Sequence, residues 1–128
     1  MQETERKSIR PVLRLDLAPE DRLGRGKIEL LEHIRRTGSI SAAGRAMDMS
    51  YRRAWLLVDA LNHMFLEPAV EPQRGGKQGG GAQLTAFGER LIAQFREMER
   101  KAEAAIQAEL EWLERSRRDD GEKDDRAG

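Results

Sequence analysis

Cysteine is absent from the 128 residues, which excludes disulfides and thiolate metal sites and leaves the redox compartment open. Aromatic residues make up only 5% of the chain against 36% charged, so any core is modest and aliphatic. No apolar run approaches the roughly 18 residues of a membrane span. The opening MQETERKSIR lacks the apolar centre of a signal peptide, and a cytoplasmic location is expected. Net charge is missing too, since 23 Lys and Arg balance 23 Asp and Glu. The balance hides a pattern. Residues 22–85 carry ten Lys and Arg against six Asp and Glu, whereas residues 86–128 carry nine against twelve and residues 1–21 four against five. A basic middle between acidic ends leaves room for a phosphate-binding face.

A chain of this length is expected to be one domain with a tail. Residues 1–10 are polar and expected to be mobile. In PVLRLDLA (11–18), Leu13, Leu15 and Leu17 alternate with Arg14 and Asp16, the period of a strand with one buried face. PEDRLGRG (19–26) reads as turn material. KIELLEHIRRTG sets Ile28, Leu31 and Ile34 at helical spacing, with Leu30 beside them, and stops at Gly38. Ser39 or Ser41 can cap a second short helix ending near Met47, and Ser50 a third that runs to about Phe65. Pro68 ends that helix. Extended pieces then flank a stretch with five glycines in residues 75–81, the pattern of a β-hairpin with a long tip. From Thr85, a plausible N-cap, the residues Phe87, Leu91, Phe95, Met98, Ala102, Ile106, Leu110 and Leu113 recur every three or four positions, which predicts one long amphipathic helix. RSRRDDGEKDDRAG reads as a solvated tail.

Three short helices followed by a hairpin is the order of a winged helix-turn-helix. The first of the paired helices must lie close against the second, which explains the small residues Ala42, Ala43, Gly44 and Ala46. The turn needs a residue with positive φ, and Asp48 is the best candidate. On a wheel of the third helix, Ala54, Leu57, Val58, Leu61, Met64 and Phe65 face the core. Arg52, Leu56, Asp59 and His63 point away, with Arg53 and Trp55 on the flanks. The cations are confined to the first turn, the end that enters the major groove in this motif. Arginine can pair bidentately with guanine, so Arg52 and Arg53 are the expected base readers, with Ser50 and Tyr51 donating to phosphate. Asp59 would repel the backbone, so only the first half of the helix should insert. On the hairpin tip, Arg74 and Lys77 suggest a wing along the phosphates or in the minor groove. With Ser41, these residues form the expected DNA-binding set.

Other chemistries find little support. GGKQGGG contains GK without the following Ser or Thr of a phosphate-binding loop, and no GxGxxG opens a helix. His33 and His63 stand thirty residues apart on different helices without a carboxylate-rich pocket, and they read as surface or boundary residues. No nucleophile is paired with a base, so no catalytic residue, metal ligand or cofactor is expected.

GSISAAGRAMDMSYRRAW (38–55), RGGKQGGGAQLTAFGERLI (74–92) and KIELLEHIRRTG (27–38) together resemble the N-terminal DNA-binding domain of the ModE family of molybdate-responsive regulators, and more distantly the LysR-type helix-turn-helix. The resemblance covers about residues 12–115. It implies a dimeric winged helix-turn-helix on operator DNA, with Ser50, Tyr51, Arg52 and Arg53 on the recognition helix and Arg74 and Lys77 on the wing. Asp48 stands where the family often has glycine. The chain also stops about where the family's molybdate-binding domains would begin, so oxyanion binding by these residues is not expected.

The resulting expectation is a mainly α fold with a small β wing: a flexible stretch (1–10), a winged helix-turn-helix (11–84), a long dimerisation helix (85–115) and a charged tail (116–128). The dimer surface is expected to use Phe95, Met98, Ala102, Ile106, Leu110 and Leu113. The partners would be double-stranded DNA and a second copy of the chain. The competing reading is a helix-mediated interaction module or accessory partner of another regulator.

Overall fold

The computed structural model describes residues 9–73 and 81–118. Among the described residues, five helices and two antiparallel hairpins follow one another. The residues fall into two compact units, one spanning Leu13–Met98 and the other comprising the two ends of the chain, described over 9–12 and 99–118.

The first unit opens with β1 (Arg14–Leu17) paired to β2 (Asp21–Gly24), from Arg14 opposite Gly24 to Leu17 opposite Asp21. The alternation of β1 is as expected, with Leu13, Leu15 and Leu17 packed on the core. Its partner corrects the reading of 19–26 as turn throughout. Asp21–Gly24 returns as a second strand and buries Leu23, and only the residues between the strands turn. A lone buried leucine in a polar stretch has no visible period, so the hairpin is decided by pairing rather than pattern.

Helix α1 (Arg25–Thr37) buries Ile28, Leu30, Leu31 and Ile34. It ends at Gly38, whose φ of 72° is the left-handed conformation, and whose N–H bonds back to the Ile34 carbonyl. Arg35 and Arg36 in its last turn suit the negative end of the helix dipole. Helix α2 (Ile40–Ala46) is capped by Ser39, whose Oγ accepts from the Ala42 N–H at 3.0 Å, which decides between the two serines. Helix α3 (Tyr51–Met64) is capped by Ser50, whose Oγ accepts from the Arg53 N–H at 3.1 Å. Between α2 and α3, Asp48 takes the expected positive φ, 62°. The small residues serve the close approach: a Cβ on Gly44 would stand 2.9 Å from the Ala54 Cβ. Ala43 and Gly44 are buried, whereas Ala46 is exposed.

The second hairpin joins β3 (Val70–Gln73) to β4 (Gly81–Leu84), with Val70 opposite Leu84 and Gln73 opposite Gly81. The Ala82 N–H donates to the Gly38 carbonyl at 3.0 Å and ties β4 to the end of α1. Helix α4 (Ala86–Ala105) is capped by Thr85, whose Oγ1 accepts from the Gly88 N–H at 2.9 Å and donates to the Pro68 carbonyl at 2.7 Å. A Cβ on Gly88 would lie 2.3 Å from the Ala69 carbonyl oxygen, so the start of α4 crosses the base of the hairpin where only glycine fits. The Phe65 and Phe87 rings pack with centroids 5.4 Å apart. Beyond them Leu91, Ile92 and Phe95 enter the core. Arg96 grips Glu32 of α1 with two hydrogen bonds, of 3.1 and 2.7 Å, and Arg35 meets Glu89 at 2.8 Å.

In the second unit the expected single helix is interrupted. Helix α4 stops at Ala105, and α5 (Gln107–Ser116) begins after Ile106, whose φ of −111° and ψ of 20° lie outside the helical well. The Ile106 N–H is shared between the Ala102 and Glu103 carbonyls at 3.3 Å each, so the ladder is loosened at this point of the apolar stripe. Within this unit Leu110 is buried, and Glu114 Oε2 accepts from the Ile9 N–H at 3.0 Å.

Candidate nucleic-acid interface

Helix α3 delivers its exposed side chains in an order set by its buried ones. Ala54, Val58 and Leu61 are fixed against the core, with Leu57, Met64 and Phe65 partly buried beside them. That orientation leaves Tyr51, Arg52, Arg53, Trp55 and Leu56 exposed in the first two turns. Among the described residues, neither the Arg52 nor the Arg53 guanidinium has a hydrogen-bond or ion-pair partner, so both retain their full set of donors. The Ser50 hydroxyl oxygen is engaged by its own helix but still has a proton to donate.

The wheel therefore places its residues correctly, with one refinement. Asp59 is half-buried rather than fully outward, and the ring of His63, one turn on, turns back to the Asp59 carbonyl at 2.8 Å and stands 3.4 Å from its carboxylate. The second half of the exposed face is thus closed by an acid and its neighbour. Ser41 lies on α2, and its Oγ accepts from Arg45 Nη1 at 2.8 Å, so it holds an arginine in place. Arg45 was not singled out in the sequence because nothing in its spacing distinguishes it from any surface arginine. Arg74 and Lys77 lie outside the described residues.

Positive charge continues off α3. Lys27 on α1 donates from Nζ to the Arg22 carbonyl at 2.8 Å. Burial holds its amine below the ordinary value. Asp21 opposes that effect, while the positive charges of Arg22 and Arg53 add to it. Lys27 is thereby near enough to Arg22 and to Arg53, each on a different element, to feel both. Sequence spacing could not show this, because the three are brought together only by the packing of β2, α1 and α3.

One side chain sets the wing against the recognition helix. Asn62 of α3 accepts at Oδ1 from the Ala69 and Val70 N–H groups, at 2.8 and 3.0 Å, and donates from Nδ2 to the Val70 carbonyl at 3.0 Å. All three bonds reach the start of β3. The position carried no signal on the helical wheel, being neither apolar nor charged.

Of the residues assigned to a dimer surface, Phe95 is wholly buried in the core of the first unit and Leu110 is covered within the second, so neither is presented to a partner. Met98 is exposed, as are Ile106 and Leu113, and Ala102 is half-buried. His33 contacts Arg36 through its ring, and among the described residues no group of three His, Cys, Asp or Glu could hold a metal ion. No described helix is long and apolar enough to cross a membrane.

No protein-family model matches the chain. Individual relatives do. The molybdenum transport protein ModE of Azotobacter vinelandii is 42% identical over 80 residues, 62% of this chain and 30% of that protein. The molybdenum-pterin-binding protein MopB of Rhodobacter capsulatus is 50% identical over 74 residues, 58% of this chain and 27% of that one. The DNA-binding transcriptional dual regulator ModE of Escherichia coli K12 is 44% identical over 66 residues, 52% of this chain and 25% of that one. The chain thus spans well under half the length of these relatives. Among solved structures, a CbnR DNA-binding domain in complex with DNA superposes with a TM-score of 0.52 at 18% identity, covering 72% of this chain and 97% of that one. The chain is therefore similar in sequence to the N-terminal part of the ModE and Mop proteins, and its fold is that of a winged helix-turn-helix.

Proposed function

We propose that the protein is a sequence-specific DNA-binding transcriptional regulator that reads double-stranded DNA as a homodimer in the cytoplasm. The observation that carries this reading is the first turn of α3, where two exposed guanidiniums without partners among the described residues stand on a helix that Ser50 caps and Asn62 locks to the hairpin. A desolvated, unpaired arginine pair would be costly. A solvated pair on a rigid helix is ready for bidentate pairing with guanine. The names of the relatives, several of them transcriptional regulators, support the same class. Arg45, Lys27 and Arg22 supply further positive charge for the phosphates, and Arg74 and Lys77 would extend it along the wing.

The test is binding to duplexes selected from a random library, measured across a salt series. Affinity should fall steeply with salt, by roughly 0.9 logarithmic units per tenfold salt for each phosphate neutralised. Arg52→Ala and Arg53→Ala should each cost about 1–3 kcal/mol on the selected site and relax preference at one or two positions. If both variants bind as tightly as the parent protein, α3 is not the reading helix. An interaction module without DNA would show no such salt dependence.

A further inference from the structure

Leu56 is out of place in the arrangement so far. It is a large apolar side chain left 46% exposed on α3, and the core has no use for it. Leu56 follows Arg52 by four residues, so the two share one face of the helix, one turn apart. Tyr51 and Trp55, also four residues apart, share the neighbouring face and line the groove between α3 and the hairpin, which Arg52 and Leu56 do not enter. The exposed surface of α3 is thus divided: an aromatic pair toward the wing, and an arginine–leucine pair away from it. Just beyond Leu56 the character changes to Asp59 and His63.

The surroundings of Leu56 are those of an anionic partner. Residues 39–58 contain three arginines and one aspartate, and Arg52 and Arg53 have no internal partner among the described residues. A protein surface matched to Leu56 would need an apolar patch beside these cations, whereas a duplex groove offers one apolar group amid charge, the 5-methyl of thymine. We infer that Leu56 is a specificity-determining residue that packs on a thymine methyl in the major groove, next to the base pair read by Arg52. This rests on α3 being the DNA-reading helix. Four residues of helix advance about 6 Å, and successive base pairs are spaced by about 3.4 Å. The thymine should therefore lie one or two base pairs from the pair that Arg52 reads.

The test is a methyl-deletion scan on a duplex selected from a random library by the full chain. Each thymine is replaced singly by deoxyuridine, which removes only the 5-methyl group. Dissociation constants are compared for the parent protein and for Leu56→Ala, Leu56→Met and Arg52→Ala. One thymine per half-site should weaken the parent by about 4-fold when demethylated, the worth of one buried methyl. Leu56→Ala should bind both duplexes equally, and Leu56→Met should retain the discrimination. Arg52→Ala should keep it too, while losing preference at a pair no more than two steps away. Should Leu56→Ala remain as sensitive as the parent, another side chain touches the methyl and the inference is wrong. If the protein binds specifically but no thymine is methyl-sensitive, the inference fails while DNA reading stands. If no duplex is selected at all, both fail.

Discussion

Glu32 shows how a single residue reports the packing of the first unit. Its carboxylate receives two hydrogen bonds from Arg96, and these, ahead of the opposing effect of partial burial, hold its pKa below the ordinary 4.5. Because the folded-state value is depressed, the pair's contribution is complete above pH 4.5. It is lost as the pH falls through the folded value, where protonation removes the acceptor charge. Unfolding free energies from urea titrations of the parent protein and of Glu32→Gln should therefore differ at pH 7 by up to about 1 kcal/mol, a figure discounted for solvent screening. They should converge once the pH has fallen below the depressed folded-state value. A difference that persists in acid would mean that the glutamate acts by shape rather than charge. The same bidentate pair joins residues 64 apart in sequence, and in the sequence each looks like any other charge on a helix face. Spacing gives no hint of it. The exposure of Arg52 and Arg53 and the positive φ of Asp48, by contrast, were legible, since each depends on position within a helix or turn that local pattern defines.

At the scale of elements, the helices and the second hairpin were readable from period and punctuation, and their junctions were not. Ser50, Thr85 and Gly38 stop and start helices by local bonds that a sequence displays. Asn62 and Gly88 act between elements. Asn62 satisfies two N–H groups and one carbonyl at the start of β3, so Asn62→Ala would leave all three without their partner. The expected loss is about 1–3 kcal/mol, read as a lower urea midpoint at unchanged slope. Asn62→Asp keeps the acceptor for the two N–H groups and should fall between. If Asn62→Ala is neutral, the hairpin is held to α3 by its apolar contacts alone. The stripe of α4 shows the opposite limit of sequence reading. Its period correctly identified apolar positions, but a period cannot tell which of them meet the chain's own core. Phe95 does, and Ile106 instead marks the break.

At the scale of the whole molecule, the open question is what covers the apolar side chains of the second unit. Ile106 and Leu113 are 39% and 41% exposed, and they are seven residues apart, two helical turns. Exposed apolar groups in register are unfavourable in water and are commonly covered by a partner. In the homodimer proposed above, the same segment of a second chain covers them in a twofold, self-complementary contact. Two recognition helices would then face half-sites one DNA turn or a multiple apart, and the operator would be an inverted repeat. Sedimentation of Ile106→Glu/Leu113→Glu should show monomers whose first unit remains folded and whose operator affinity is much reduced. A dimer of unchanged stability would move the interface to another face. Leu110 is the wrong position for this test, because its burial within the unit would confuse unfolding with dissociation.

By itself the sequence determined what local physics can settle: where helices begin and end, the left-handed turn at Asp48, the small residues of α2, and the arginines at the head of α3. Each follows from bonds and sterics within a few residues along the chain. Tertiary structure alone decided the pairing of β2 with β1, the Asn62 clasp, the Glu32–Arg96 grip and the burial of Phe95. These join residues distant in sequence, and their energies depend on which surfaces meet rather than on any period. Leu56 belongs to both. Its place opposite the core was written in the helical period, but only the packed fold showed that nearly half of it stays exposed.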